Sequence, residues 1–207
     1  EADAVLIHDP QPAALIDFKP PRPGQKWLLR CHIDISAPDP GVYERFTPFC
    51  SKFDAAIFSV ARFAKPMKIH EYIVPPSIDP LSDKNKELSE EELRAVAEKY
   101  ALPRDKPMLL QVSRFDRFKD PLGVIQAYRM VKKYNDCLLV LAGSPASDDP
   151  EGEAVLAEVR EFAAGDPDIH ILLLPPYSDL DINGLQRLAT VVLQKSLKEG
   201  FGLTVAE

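Results

Sequence analysis

Short, largely apolar runs recur along the first third of the chain, and a charged residue, a serine or a proline soon follows each of them. Continuous runs, unlike alternating ones, are typical of parallel strands that are buried on both faces. Four strands are therefore predicted in this part of the chain, at residues 4–7, 27–29, 55–58 and 71–74.

A proline-rich segment interrupts this pattern. Residues 75–80 contain three prolines in six positions, and neither a strand interior nor a helix accommodates them because each proline lacks an amide donor and fixes φ. We place a domain boundary here, which divides the chain into residues 1–75 and 76–207.

Strands and helices alternate regularly after this segment. Ser89 and Glu92 have the spacing of a capping box, and Pro121 stands where proline is tolerated at a helix start. The predicted helices cover residues 89–100, a stretch from 121, 150–164 and 183–189, and the predicted strands cover residues 108–112, 137–142, 169–174 and 191–194. The helix from Pro121 is expected to carry Val124, Ala127, Tyr128 and Val131 on one face. This alternation predicts an α/β fold with a doubly wound, Rossmann-like parallel sheet.

Composition narrows the possible partners. The 207 residues are 45% hydrophobic and 28% charged, with a formal net charge of −7, so a nucleic-acid partner is not expected. No apolar run approaches the roughly 20 residues that cross a bilayer, so no membrane partner is expected either. The three cysteines lack metal-ligand spacing, and reduced thiols in the cytoplasm are the simplest interpretation.

Two cations follow the predicted strand at residues 108–112. Ligands of an open parallel sheet bind beyond the carboxyl ends of its strands, so Arg114 and Lys119 are candidates for binding a diphosphate. The alternative that both are ordinary surface cations stays open at this point.

A glycine-rich segment follows the last predicted strand and leads into a helix. Gly200 and Gly202 allow the backbone to approach a ligand closely, and the amides at the start of the helix suit a phosphate. Glu199 and Glu207 would repel a phosphate, so we expect them to accept hydrogen bonds from hydroxyl groups on either side of it. Each could instead be a solvated acid.

These residues resemble the motifs of the retaining glycosyltransferases that have the GT-B fold, the family of glycogen and sucrose synthases. Glu199 and Glu207 match its E-x7-E motif, and Arg114 and Lys119 match its Arg-x4-Lys pair. In the first domain, the segments 8–12 (His-Asp-Pro-Gln-Pro) and 30–34 (Arg-Cys-His-Ile-Asp) are similar to trehalose-forming members and to the related trehalose phosphorylases.

The resemblance implies a GT-B protein in which residues 76–207 form an incomplete nucleotide-sugar-binding domain and residues 1–75 form part of the acceptor-side domain. We expect the chain to be a piece of a longer protein. The implied reaction transfers glucose from UDP-glucose or ADP-glucose to glucose, with retention, and requires no metal or other cofactor. A homodimer is a further expectation, with the oligomeric state left open.

The resemblance also implies roles for individual residues. Arg114, Lys119 and Glu199 would be catalytic, and Arg114, Lys119, Leu203, Thr204 and Glu207 would bind the donor nucleotide, with Glu207 on the ribose. The candidates for sugar binding are His8, Asp9, Gln11, Arg30, His32, Asp34, Glu199, Gly200, Phe201 and Gly202. Structural roles for His8 and His32 stay open.

Two alternative functions are retained. A trehalose phosphorylase would use inorganic phosphate and would have no need of a ribose-binding Glu207. A non-catalytic chain would bind nucleotide or only self-associate. The Asp-x-Asp pairs at residues 166–168 and 179–181 resemble metal-binding pairs of another glycosyltransferase fold, but turn and cap chemistry is the favoured interpretation.

Overall fold

The computed structural model describes residues 2–144 and 150–207. These residues form two compact units. The first comprises the chain up to Ser77 together with Glu199–Phe201, and the second comprises Ile78–Lys198 and Gly202–Glu207. The main division therefore lies two residues beyond the boundary that the prolines indicated.

The first unit is built on a parallel sheet with strand order β1-β2-β3-β4. Its strands are β1 (Ala4–His8), β2 (Lys26–Cys31), β3 (Ala55–Phe58) and β4 (His70–Ile73), and its helix is α1 (Pro40–Cys50), with 3₁₀ helices at Ala13–Phe18 and Ala61–Phe63. Leu29, Ala56 and Phe58 are fully buried, and Phe46 of α1 belongs to the same core.

The second unit contains a parallel sheet with strand order β7-β6-β5-β8. Its strands are β5 (Met108–Val112), β6 (Leu138–Gly143), β7 (Ile169–Leu173) and β8 (Val191–Val192). Its helices are α2 (Glu90–Lys99), α3 (Pro121–Lys132), α4 (Pro150–Ala163), α5 (Asp179–Leu188) and α6 (Leu203–Ala206), with a 3₁₀ helix at Arg117–Lys119. Central β6 is buried along its whole length.

Helices cover both faces of the second sheet. Residues of α3 and α4 share one hydrophobic core with alternate residues of β6, such as Leu139 and Leu141. Residues of α2 and α5 share another core with Leu138 and Val140 of the same strand. The predicted doubly wound α/β class is therefore confirmed, because a strand buried on both faces needs helices on both sides.

The capping box at Ser89 is confirmed. The Glu92 amide donates to the Ser89 hydroxyl, and the Glu92 carboxylate accepts from the Ser89 amide at 2.7 Å. Of the four residues expected on one face of α3, Val124 and Tyr128 are buried, Ala127 is partly buried and Val131 is exposed, and Ile125 is also buried in the core.

Helix α1 was not predicted. It begins after Asp39, whose carboxylate accepts from the Val42 amide at 3.0 Å, and Pro40 occupies its first turn. Helix α5 begins at Asp179 rather than at residue 183, and β8 ends two residues earlier than predicted.

Candidate functional site

A cavity of about 320 Å³ lies at the carboxyl edge of the second sheet. The parallel register brings the ends of β5, β6 and β7 together there. Among the described residues, its walls include Ser113, Arg114, Gly143, Tyr177 and Thr204. The fold thus brings together two of the predicted donor-binding residues, Arg114 and Thr204, which are separated by 90 positions (204 − 114) in the sequence.

Arg114 presents its charge to this cavity from the end of β5. Its side chain is 60% exposed, and its guanidinium Nη2 donates to a carboxylate oxygen of Asp116 at 3.1 Å. Most of the guanidinium donors remain accessible to a ligand, because a single bond to Asp116 uses only one of five N–H groups.

Gly143 allows the close approach of β6 to the backbone before Arg114. A Cβ atom at this position would lie 1.9 Å from the carbonyl oxygen of Ser113. This distance is far below any normal contact, so only glycine fits here without moving the backbone.

Lys119 occupies the end of the 3₁₀ helix at Arg117–Lys119. Its carbonyl oxygen accepts from Nε2 of Gln111 at 2.8 Å, which ties the helix to β5. Lys119 is a described residue, but it is not among those that line the cavity around Arg114. The structure therefore brings Arg114 and Thr204 to one cavity and leaves a diphosphate contact by Lys119 as a prediction.

The glycine segment enters α6 through a left-handed residue. Gly202 has φ of 87° and directly precedes Leu203 and Thr204, the first two residues of α6. Because a side chain is strained at this φ, the glycine is required by the turn itself.

The side chain of Glu207 is largely buried. Its side chain is 5% exposed, and its Oε1 forms an ion pair with Nζ of Lys84 at 2.5 Å. Its Oε2 is buried and has no hydrogen-bond partner among the described residues. Glu207 and Thr204 line a second cavity, of about 390 Å³, so the two cavities share Thr204 as a wall.

The strand ends of the first unit bring three predicted residues together. Nδ1 of His8 lies 2.9 Å from Nε2 of His32, and the two rings stack with centroids 5.1 Å apart. Asp9 accepts from the His32 amide at 2.8 Å and adopts a left-handed φ of 67°. One imidazole must donate and the other accept, so the contact fixes complementary tautomers.

Arg30 differs from these residues because it is 8% exposed. Its guanidinium donates to the Val74 carbonyl oxygen at 2.8 Å and to the Ser59 hydroxyl at 3.2 Å. These contacts favour a structural role for Arg30 over the predicted sugar contact.

Four other predicted sugar-binding residues are more exposed to solvent than Arg30. Gln11 is exposed, and Asp34 accepts from the Ser36 amide and hydroxyl at 2.9 and 2.6 Å. Glu199 accepts from the Gly200 amide at 3.1 Å. A Cβ at Gly200 would lie 2.6 Å from the His32 carbonyl oxygen, so this glycine too is required by a close approach.

The acidic pairs have structural partners. Asp166 accepts from the Asp168 amide at 3.1 Å, which is the predicted turn contact. The cap interpretation of the second pair was wrong, because both acids lie inside α5 and Asp181 pairs with Lys99 at 2.7 Å. Within the described part of the chain, no group of three His, Cys, Asp or Glu side chains could hold a metal ion.

The cysteines are buried thiols. Desolvation raises the pKa of Cys31 to about 11 and that of Cys50 to about 12, and it also raises the pKa of Cys137. A thiol acts as a nucleophile through its thiolate, so these cysteines are unsuited to nucleophilic catalysis. Among the residues described, no helix is long and apolar enough to span a bilayer.

Sequence reasoning missed Lys84 and Tyr177. Lys84 is one of several charged residues in a loop, and only the fold reveals its contact with Glu207. Tyr177 lines the Arg114 cavity with a fully exposed side chain and a left-handed φ of 62°. No sequence signal distinguished either residue.

Comparison with known proteins shows which family this chain resembles. Residues 1–65 match the family model "Trehalose synthase, N-terminal domain" and residues 82–207 match "Glycosyl transferases group 1". A trehalose synthase from Rubrobacter xylanophilus is 42% identical over 212 residues, which cover 100% of this chain and 51% of that protein. A trehalose phosphorylase from Grifola frondosa is 32% identical over 117 residues, covering 48% of this chain and 15% of that protein.

The fold has solved counterparts. An α,α-trehalose-phosphate synthase (UDP-forming) from Burkholderia vietnamiensis superposes with a TM-score of 0.71 at 16% identity, covering 97% of this chain and 52% of that one. The chain thus spans about half the length of the curated trehalose synthases that it matches. It is similar to trehalose synthases throughout, has GT-B-type Rossmann-like units, and belongs to the glycosyl transferases group 1 family.

Proposed function

We propose that this chain supplies the donor site of a retaining hexosyltransferase that moves glucose from UDP-glucose or ADP-glucose to glucose, forming trehalose. The observation that carries the proposal is the placement of Arg114 and Thr204 in the walls of one cavity at the carboxyl edge of the second sheet. This edge is where open parallel sheets bind ligands. Similarity to trehalose synthases along the whole chain supports the choice of sugar.

Charge stabilisation is the main catalytic contribution we assign to this chain. In the transfer, the bond from the anomeric carbon to the diphosphate oxygen breaks, and a bond to the acceptor hydroxyl oxygen forms on the same face. Negative charge develops on the leaving diphosphate, which takes up the hydroxyl proton. Arg114 and Lys119, with the amides of Leu203 and Thr204, would stabilise that charge electrostatically.

The two motif carboxylates are assigned to hydroxyl groups. Glu207 has one buried oxygen that finds no hydrogen-bond partner in the described part of the chain, which suits a ribose hydroxyl donor because an unsatisfied buried acceptor is costly. Glu199, Gly200, Phe201 and Gly202 would contact the donor sugar. Neither carboxylate acts as a covalent nucleophile in this proposal, unlike the paired acids of retaining glycosidases.

The first unit carries further candidates for sugar binding. His8, Asp9 and His32 form a hydrogen-bonded group at the ends of β1 and β2, and Gln11 and Asp34 are exposed polar side chains nearby in the sequence. Imidazole and carboxylate groups suit the hydroxyls of glucose. The proposed partners are the nucleotide sugar and glucose or trehalose, and association into a homodimer stays a prediction.

A trehalose phosphorylase is the second candidate. The similarity to phosphorylases along 48% of the chain favours it. The buried Glu207 argues for a nucleotide, since inorganic phosphate offers no ribose to this carboxylate. The two candidates differ in which ligand the free protein binds.

Calorimetric titration of the chain with UDP, ADP and inorganic phosphate, without added metal, tests the proposal. We expect saturable binding of a nucleoside diphosphate, reduced about tenfold or more in Arg114→Ala through loss of charge-assisted hydrogen bonds. Arg104→Ala is the matched control, because Arg104 is an exposed arginine paired with Glu90. Binding of phosphate alone would favour the phosphorylase, and equal effects of both variants would refute the role of Arg114.

A further inference from the structure

The proposed function assigns no role to the ion pair between Lys84 and Glu207. Glu207 buries 95% of its side chain (100 − 5), yet only Oε1 is paired, with Nζ of Lys84. Oε2 has no hydrogen-bond partner among the described residues. A carboxylate removed from water usually has both oxygens satisfied, but the protein satisfies one oxygen of this group and leaves the other without a partner among the described residues.

The surroundings of Oε2 point to a ligand that donates hydrogen bonds. Glu207 lines the cavity of about 390 Å³, and so does Asn85, whose Oδ1 is a second buried acceptor without a partner in the described structure. The orientation of the Asn85 amide is fixed, because its Nδ2 donates to the Asp79 carbonyl oxygen at 2.9 Å and to the Ser82 hydroxyl at 3.2 Å. Two buried acceptors on residues that line one cavity suit a ligand that donates hydrogen bonds.

We infer that Lys84 is a positioning residue, which holds Oε1 of Glu207 so that Oε2 accepts from a hydroxyl group of the bound nucleotide. The inference rests on the proposed function, in which Glu207 meets the ribose. Lys84 compensates the buried charge of Glu207, and the ion pair limits rotation of the carboxylate. Without the lysine, the carboxylate is free to rotate, and Oε2 no longer offers an acceptor in a fixed position.

The inference predicts an effect that depends on the ribose hydroxyls and not on the phosphates. A lysine that acted directly on the diphosphate would change the affinity of every nucleotide equally. A lysine that acts through Glu207 changes only the preference for a nucleotide with ribose hydroxyls over one without them.

The experiment measures the affinity of the chain for ADP and for 2′,3′-dideoxy-ADP by calorimetry, with UDP and its dideoxy analogue as a second pair. For the unaltered chain we expect about a tenfold preference for the hydroxylated nucleotide, as for one hydrogen bond to a charged group. We expect Lys84→Met to lose this preference while it binds the dideoxy analogue as the unaltered chain does. Lys84→Arg is expected to retain it, and Glu207→Gln to lose most of it.

Lys86→Met is the matched control. Lys86 lies two residues away, and its Nζ pairs with Asp83 at 2.6 Å, so its replacement should leave the preference unchanged. If Lys84→Met does not give a cooperative melting transition, Lys84→Gln, which keeps a polar donor, replaces it and is expected to reduce the preference as well.

The outcomes distinguish failure of the proposed function from failure of the inference about Lys84 alone. No binding of any nucleotide by the unaltered chain overturns the proposed function and the inference with it. Nucleotide binding without a preference for the hydroxylated form, or an equal loss for both forms in Lys84→Met, overturns the inference alone. A preference that survives in both Lys84→Met and Lys84→Gln does the same.

Discussion

The replacement Gly143→Ala tests whether the close approach between β6 and β5 shapes the donor site. The added Cβ would lie 1.9 Å from the Ser113 carbonyl oxygen, where an ordinary contact needs about 3.4 Å, so one backbone must shift by about 1.5 Å (3.4 − 1.9). Neither backbone moves easily: the Ser113 amide donates to the Ala142 carbonyl oxygen at 3.0 Å, and the Gly143 carbonyl oxygen accepts from the Leu174 amide at 2.8 Å.

Overpacking of a rigid site costs about 1–3 kcal/mol of stability. We expect Gly143→Ala to lower the free energy of unfolding by about 3 kcal/mol, because the clash is with backbone atoms. For a unit of this size, that loss lowers the melting temperature by roughly 10 °C. The shift also displaces the start of the segment that carries Arg114, so the variant should bind nucleotide more weakly at temperatures where it is folded.

Thermal unfolding followed by circular dichroism measures the loss, and Gly41→Ala is the matched control. A Cβ at Gly41 would lie 3.4 Å from a carboxylate oxygen of Asp39, an ordinary contact, within the first turn of α1. Alanine there should leave stability unchanged or raise it by up to about 1 kcal/mol. A Gly143→Ala variant that melts within a degree or two of the unaltered chain would refute the close approach.

Three further predictions concern stability and reactivity. The Trp27 amide, followed by Lys19 and Lys26, lowers the pKa of Asp54 from 3.8 to about 2, so this carboxylate stabilises the fold above pH 4 and the effect disappears as the pH falls towards 2. Asp54→Asn should therefore cost about 2 kcal/mol in urea denaturation at pH 7 and about half of that at pH 3, where a folded-state carboxyl with a pKa of about 2 is still largely ionised; an equal cost at both pH values would contradict this. Cys31 and Cys50, with pKa values raised to about 11 and about 12, should react with a thiol reagent at pH 8 only after denaturation, and rapid labelling of the native chain would contradict their burial. Ser89→Ala should cost about 1 kcal/mol through loss of the capping box, whereas Ser89→Thr, which keeps a capping hydroxyl, should cost less.

The fold was predictable because its main signals are local in the sequence. Continuous apolar runs and the alternation of strands with helices placed all eight strands that the described residues form. Helix α1 was not predicted from the sequence because Pro48 lies inside it, and an internal proline argues against a helix. Its start signal, Asp39 followed by Pro40, was nevertheless present in the sequence.

The candidate site was only partly predictable. The topology rule that ligands bind at the carboxyl ends of parallel strands selected Arg114, the family resemblance added Thr204, and both line one cavity. The rule could not reveal that Lys84 pairs with Glu207, or that His8 and His32 share a hydrogen bond. Such contacts join residues far apart in the sequence, and no local pattern encodes them.

Two arginines show why placement alone does not define a binding residue. Arg30 and Arg114 both lie at the carboxyl end of a parallel strand, one in each unit. Arg30 finds the Val74 carbonyl oxygen and the Ser59 hydroxyl within reach, and is 8% exposed. Within residues 2–144 and 150–207, Arg114 forms one side-chain hydrogen bond, to Asp116, and its side chain is 60% exposed. Because a guanidinium with protein acceptors in reach is satisfied without a ligand, the acceptors around each strand end decide which arginine is available for a phosphate.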